Sequence, residues 1–118
     1  MGQPVAFFEI ISSDPGRARA FYTELFGWKA EADPAMGGYA LVDTGAGENA
    51  IGGGIGPSMA AGDTGVKIYM RVDDLDNYLE RAVKLGGKQL VPPTDLPGDY
   101  GRFALLADPD GNPVGLWS

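Results

Sequence analysis

Two short stretches of this sequence place chemically capable side chains in a strand-like setting. AFFEII, Ala6 to Ile11, carries a single acid, Glu9, among apolar residues. VKIYMRV, Val66 to Val72, alternates Lys67, Tyr69 and Arg71 with Ile68, Met70 and Val72, so the three polar or aromatic residues share one strand face. Glu9 is suited to anchoring a ligand through its carboxylate, or to acting as a general base. Its structural alternative is an ion pair with Lys67 or Arg71, because a buried carboxylate needs a partner. Lys67 and Arg71 are suited to a ligand carboxylate or phosphate, the guanidinium in bidentate fashion. Their alternative is to neutralise Glu9 or, for Arg71, to lie at an exposed strand end. Tyr69 and Trp117 can form an aromatic wall for a planar or cationic ligand, with core packing as the rival role. Tyr39 and Tyr100 flank hairpin strands, where core or surface placement competes with a position at a pocket mouth.

What the sequence lacks narrows the chemistry further. Its 118 residues contain no cysteine and no histidine. Disulfides, thiolate nucleophiles and cysteine zinc sites are excluded, and so is the side chain that most often ligates metals and shuttles protons near neutral pH. Ser12 and Ser13 have no histidine to activate them, which leaves capping or exposure as their roles. Nine Lys plus Arg against sixteen Asp plus Glu give a net charge of −7. That balance disfavours nucleic acid and anionic membranes, and mildly favours neutral or cationic ligands, although solubility alone also accounts for it. No apolar run approaches the ~20 residues of a membrane span, and Met1-Gly2-Gln3-Pro4 has no signal-peptide character, so a cytoplasmic location is expected.

The elements that must position these residues occur twice. After the first strand, Asp14-Pro15 supplies a helix cap and a proline at the first helical position. Ala18, Phe21, Tyr22 and Leu25 form an apolar helical stripe, and Gly27 ends the helix. After the second strand, Asp74 is the cap, Leu75, Tyr78, Leu79 and Ala82 the stripe, and Gly86-Gly87 the stop. Asp14 and Asp74, Leu25 and Leu85, and Gly27 and Gly87 each lie 60 positions apart. Short strands are expected around Lys29–Glu31 and Lys88–Val91. GYALVDTGAGENAIGGGI and GRFALLADPDGNPVGLW then each read as strand, tight turn, strand. The unit is β-α-β-β-β, present as an internal repeat over residues 1–56 and 66–118, with 57–65 (PSMAAGDTG) as linker. The expected fold is α+β, with two tandem βαβββ modules forming a curved, mostly antiparallel sheet around a central cavity that is the natural ligand site. GGGIG, Gly52 to Gly56, is not followed by a helix, so it reads as the last strand of module one rather than a phosphate loop. Asp108 to Asn112 lacks the spacing of a calcium loop and reads as a hairpin turn.

FEIISSDPGRARAFYTELFGW, MRVDDLDNYLERAVKLGG and GRFALLADPDGNPVGLW together resemble the vicinal oxygen chelate superfamily, which includes glyoxalases, bleomycin-resistance proteins and extradiol dioxygenases. The resemblance covers essentially the whole chain. It implies one metal ligand from the first strand of each module and one from the last. Those positions are Phe7 and Lys67, then Gly115 in module two and a residue within Ala50–Gly53 in module one. A phenyl ring, an ammonium and glycine or alanine cannot ligate a divalent cation, so no metal or other cofactor is expected. If Phe7 and Lys67 face the cavity, alternation sends Glu9, Ile11, Tyr69 and Arg71 inward as well, while Phe8, Ile10, Ile68, Met70 and Val72 face the helices.

The expected ligand-binding set is therefore Phe7, Glu9, Lys67, Tyr69, Arg71 and Trp117, with Glu9 the one candidate catalytic residue. The leading reading is a metal-independent small-molecule-binding protein similar to the bleomycin-resistance branch. One alternative is a metal-independent isomerase or lyase using Glu9 as base. Another is a non-catalytic interaction module whose pocket is closed by Phe7, Trp117 and a Glu9–Lys67 pair. A homodimer is expected from the resemblance and from the sheet edges that need covering.

Overall fold

The computed structural model describes residues 2–58 and 65–118. The fold is α+β, with two α-helices and eight strands among the described residues. Four of the strand pairings within modules are antiparallel and two are parallel. The chain divides into two compact units: Phe7–Val66, and the residues up to Ala6 together with Lys67–Ser118.

Module one follows the order β1 (Val5–Ser12), α1 (Pro15–Phe26), β2 (Lys29–Ala32), a 3-10 turn over Pro34–Met36, β3 (Ala40–Asp43) and β4 (Gly52–Pro57). Asp14 caps α1, its carboxylate accepting from the Arg17 N–H, and Pro15 opens the helix. Gly27, at φ 70°, closes it by donating to the Thr23 carbonyl. β1 pairs in parallel with β4, and β3 pairs antiparallel with both β4 and β2. Ile10, Val42 and Ile55 make the core, covered by Phe8, Ala18, Tyr22, Trp28 and Ala30. Only half of the expected α1 stripe is used. Ala18 and Tyr22 pack inward, whereas Phe21 and Leu25 are 58% and 60% exposed. The reason is aromatic bulk: Trp28 stacks on Tyr22 at 5.7 Å and meets Phe8 at 5.3 Å, filling the layer between helix and sheet.

Module two runs β5 (Gly65–Arg71), α2 (Leu75–Lys84), β6 (Lys88–Asp95), β7 (Arg102–Ala107) and β8 (Pro113–Trp117). Asp74 caps α2 through the Asn77 N–H, and Gly86 and Gly87 close it by donating to the carbonyls of Val83 and Ala82. Val72, Leu75, Leu79, Ala104 and Leu116 form a conventional aliphatic core, with Met70, Tyr78 and Leu106 against it. Ile68, expected to face the helix, is instead 43% exposed, because α2 lies over β6 and β7 and does not reach the start of β5.

Three sequence expectations need adjusting. The β3–β4 connection is a loop over residues 44–51 rather than a tight turn. β6 extends to Asp95, with register shifts on either side of Val91 as the strand passes Pro92-Pro93, which cannot donate to the ladder. Pro57 and Gly65, assigned to the linker, belong to β4 and β5, and positions 59–64 of that linker lie outside the described residues.

Candidate functional site

Alternation along β1 separates two sets of side chains. Phe8 and Ile10 pack toward α1, so Phe7, Glu9 and Ile11 take the other face. In the parallel register these three stand opposite Gly52, Gly54 and Gly56 of β4. The glycines leave the backbone bare on that face, and Tyr39 fills part of the space. A methyl group at Gly54 would overlap the Tyr39 hydroxyl, and one at Gly56 would overlap its ring. From this seat the Tyr39 hydroxyl donates to Glu9 Oε2 at 2.8 Å. On the helix side, Gly53 gives the same close approach to the Phe8 ring. GGGIG is thus a strand whose glycines admit aromatic rings on both faces.

Module two builds the corresponding face differently. Tyr69 stands opposite Gly115, and its ring lies on that glycine; any Cβ there would overlap it. Arg71 stands opposite Trp117, its guanidinium 4.4 Å from the centre of the Trp117 rings. The indole is itself fixed, donating from Nε1 to the Tyr100 carbonyl at 2.7 Å. At that distance the guanidinium is within range of cation–π attraction. Beside it lies an open cleft of about 440 Å³ lined by Gln3, Pro4, Arg71, Val72, Asp73 and Ser118. Lys67 is buried, at 7% exposure, and so is Tyr69. An ammonium so enclosed requires a polar partner.

The structure therefore brings Glu9 together with Tyr39, Tyr69 with Gly115, and Arg71 with Trp117. Phe7 is half-buried on the face away from α1. Arg71 is exposed at the end of β5, with its guanidinium over Trp117. Tyr39 is the residue that sequence reasoning left out of the site. The available signal was the glycine spacing: Gly52, Gly54 and Gly56 share one face, and three bare positions on one strand face require something bulky to lie over them.

The metal positions implied by the resemblance can now be tested against register. Leu41, Gly54 and Glu9 stand side by side in module one as Leu105, Gly115 and Tyr69 do in module two. The residue matching Gly115 is accordingly Gly54, one position beyond the Ala50–Gly53 span. The correction leaves the donor chemistry unchanged, since Gly54 offers no side chain either. Phe7, Lys67, Gly54 and Gly115 do not fit a divalent cation. Among the described residues, no group of three or more acids gathers as a cation site. No helix among them is long and apolar enough to cross a membrane.

An α+β chain of two βαβββ modules, each with its helix on one face and a glycine-floored opposite face, defines the glyoxalase-like class. The chain belongs to that family: the glyoxalase-like domain model matches residues 7–117. It is 32% identical over 113 residues to the protein CFP32 of Mycobacterium tuberculosis, covering 92% of this chain and 43% of that protein. It is also 32% identical over 135 residues to the anthracycline biosynthesis protein DnrV of Streptomyces peucetius, covering 95% of this chain and 46% of that protein. The chain thus spans less than half the length of these two relatives. Among solved structures, a glyoxalase/bleomycin resistance protein/dioxygenase superfamily member from Vibrio splendidus 12B01 superposes with a TM-score of 0.61, covering 98% of this chain and 97% of that one. At 13% identity that likeness concerns the fold alone.

Proposed function

We propose that this chain is a metal-independent small-molecule-binding protein whose ligand lies on the helix-free face of module one, against Glu9 and Tyr39. One observation carries the reading. Beside the module-one positions of the family's metal donors, Phe7 and Gly54, a carboxylate is gripped by a phenol above bare glycine backbone. A held carboxylate is an acceptor for N–H, O–H or ammonium groups, and the aromatic rings offer stacking surface. The ligand class this favours is a planar molecule bearing an amine. The relationship to an anthracycline biosynthesis protein supports a planar polycyclic ligand. The functional unit is a homodimer in a cytoplasmic setting.

Thermal shift against a panel of metabolites and antibiotics tests the reading. A ligand at 100 times its dissociation constant adds about 2.7 kcal/mol of stability, which a melting curve resolves readily. A panel rich in planar amines that moves the melting temperature nowhere would contradict it.

The Tyr39–Glu9 contact also favours a second reading. A carboxylate with a phenol at 2.8 Å is an acid–base pair, suited to a metal-independent isomerase or lyase with Glu9 as base. Glu9→Gln decides between the two: it abolishes turnover in the enzyme, and in the binder it changes affinity alone.

A further inference from the structure

We propose that Tyr39 is a positioning residue of the binding face, acting on the ligand through Glu9, and that Gly54 and Gly56 form the recess that seats it. The inference rests on module one being a ligand-binding face. Tyr39 is held at three levels. Its backbone is locked next to the 3-10 turn, with its N–H donating to the Met36 carbonyl and its own carbonyl accepting from Asp33. The turn is in turn fixed by the Asp33 side chain, which accepts from the Ala35 N–H at 2.9 Å. The ring lies on β4 where only glycine leaves room, and the hydroxyl ends on Glu9.

A glutamate side chain has three freely rotating torsions, and binding a ligand with it means ordering all of them. A phenol already fixed at backbone, ring and hydroxyl pre-orders that carboxylate. It also donates into it, which presents Glu9 as an acceptor. Tyr39 thereby selects ligands that bring a donor, an ammonium above all, over ligands that bring an anion.

The test is a fluorescence titration of the full chain with daunorubicin, using wild type, Glu9→Ala, Tyr39→Phe and the double variant, each checked for folding by its melting curve. Tyr39→Phe keeps the ring on the glycines and removes only the hydroxyl. Each single variant is expected to weaken binding by about tenfold, the size of one hydrogen bond to a charged group. The double variant is expected to bind no worse than Glu9→Ala, because Tyr39 acts only through Glu9. Gly54→Ala, which keeps both residues and displaces the ring, is expected to weaken binding like Tyr39→Phe. If Glu9→Ala weakens binding while Tyr39→Phe and Gly54→Ala bind like wild type, the positioning role is overturned and the binding face stands. Losses that add in the double variant overturn it as well, since Tyr39 then acts on the ligand directly. A wild type that does not bind, or a Glu9→Ala that binds unchanged, removes the binding face and this inference together.

Discussion

The two modules share one plan and solve it with different materials. Module two is held by an aliphatic core in which α2 buries Leu75 and Leu79 to 3% exposure each. Module one is held by an aromatic layer, and α1 buries none of its residues fully while leaving Phe21, Leu25 and Phe26 more than half exposed. The helix-free faces diverge in the same way. At matched register, module two sets the Tyr69 ring on Gly115, whereas module one sets Glu9 opposite Gly54 and brings a tyrosine from β3's leading edge to cover the glycine. Apolar burial of this kind contributes roughly 1.5–3 kcal/mol per large aliphatic side chain. Module two is thus the better-anchored scaffold, and module one places its polar chemistry on a looser base.

That contrast breaks most visibly in the cores. Leu79→Ala should destabilise by about 2–5 kcal/mol, read by urea denaturation, because it opens a cavity in a packed cluster. Leu25→Ala, on the exposed side of α1, should stay within about 0.5 kcal/mol. Equal effects would erase the distinction between the helices. Next in size are the glycine floors. Gly54→Ala and Gly115→Ala each force a tyrosine ring off the backbone and should cost about 1–3 kcal/mol, with a changed near-ultraviolet circular dichroism spectrum. A silent Gly54→Ala would mean that Tyr39 does not rest where it is described. Arg71→Met should alter Trp117 fluorescence and cost about 0.5–1 kcal/mol through the lost cation–π contact.

The smallest effect concerns the β7–β8 turn. The side-chain amide of Asn112, followed by backbone N–H groups of Asn112, Asp110 and Gly111, holds the Asp108 carboxyl below its ordinary value of 3.8. A depressed carboxyl stabilises the fold above its ordinary value, and that contribution is lost as pH falls through the lowered one. Asn112→Ala removes the largest cause. Its melting temperature should therefore depend less steeply on pH below about 4 than that of wild type. Parallel curves would show that the turn contributes nothing.

Much of this architecture was readable in the residues. Asp14-Pro15, Asp74 and the glycine stops act over a few positions, so local rules locate both helices, and the repeat spacing then locates the strands. The faces of β1 followed from alternation, with Phe8 and Ile10 inward and Glu9 outward. Ile68 failed the same rule because alternation says which way a side chain points and not whether a helix reaches it. The site was only half visible for a related reason. Glu9 stands out as the lone acid of its strand, but Tyr39 reaches it across 30 positions, through a 3-10 turn that carries no helical period. Register was equally out of reach: whether Gly53 or Gly54 matches Gly115 depends on pairings that form only in the sheet.

The central claim is that a phenyl ring, an ammonium and bare glycine backbone, at Phe7, Lys67, Gly54 and Gly115, stand where the family's cation cage would be. Elemental analysis of protein prepared without chelator and then dialysed tests it most directly. The account predicts zinc, nickel, iron and manganese all far below one equivalent per chain. Any one of them near one equivalent after dialysis would contradict it.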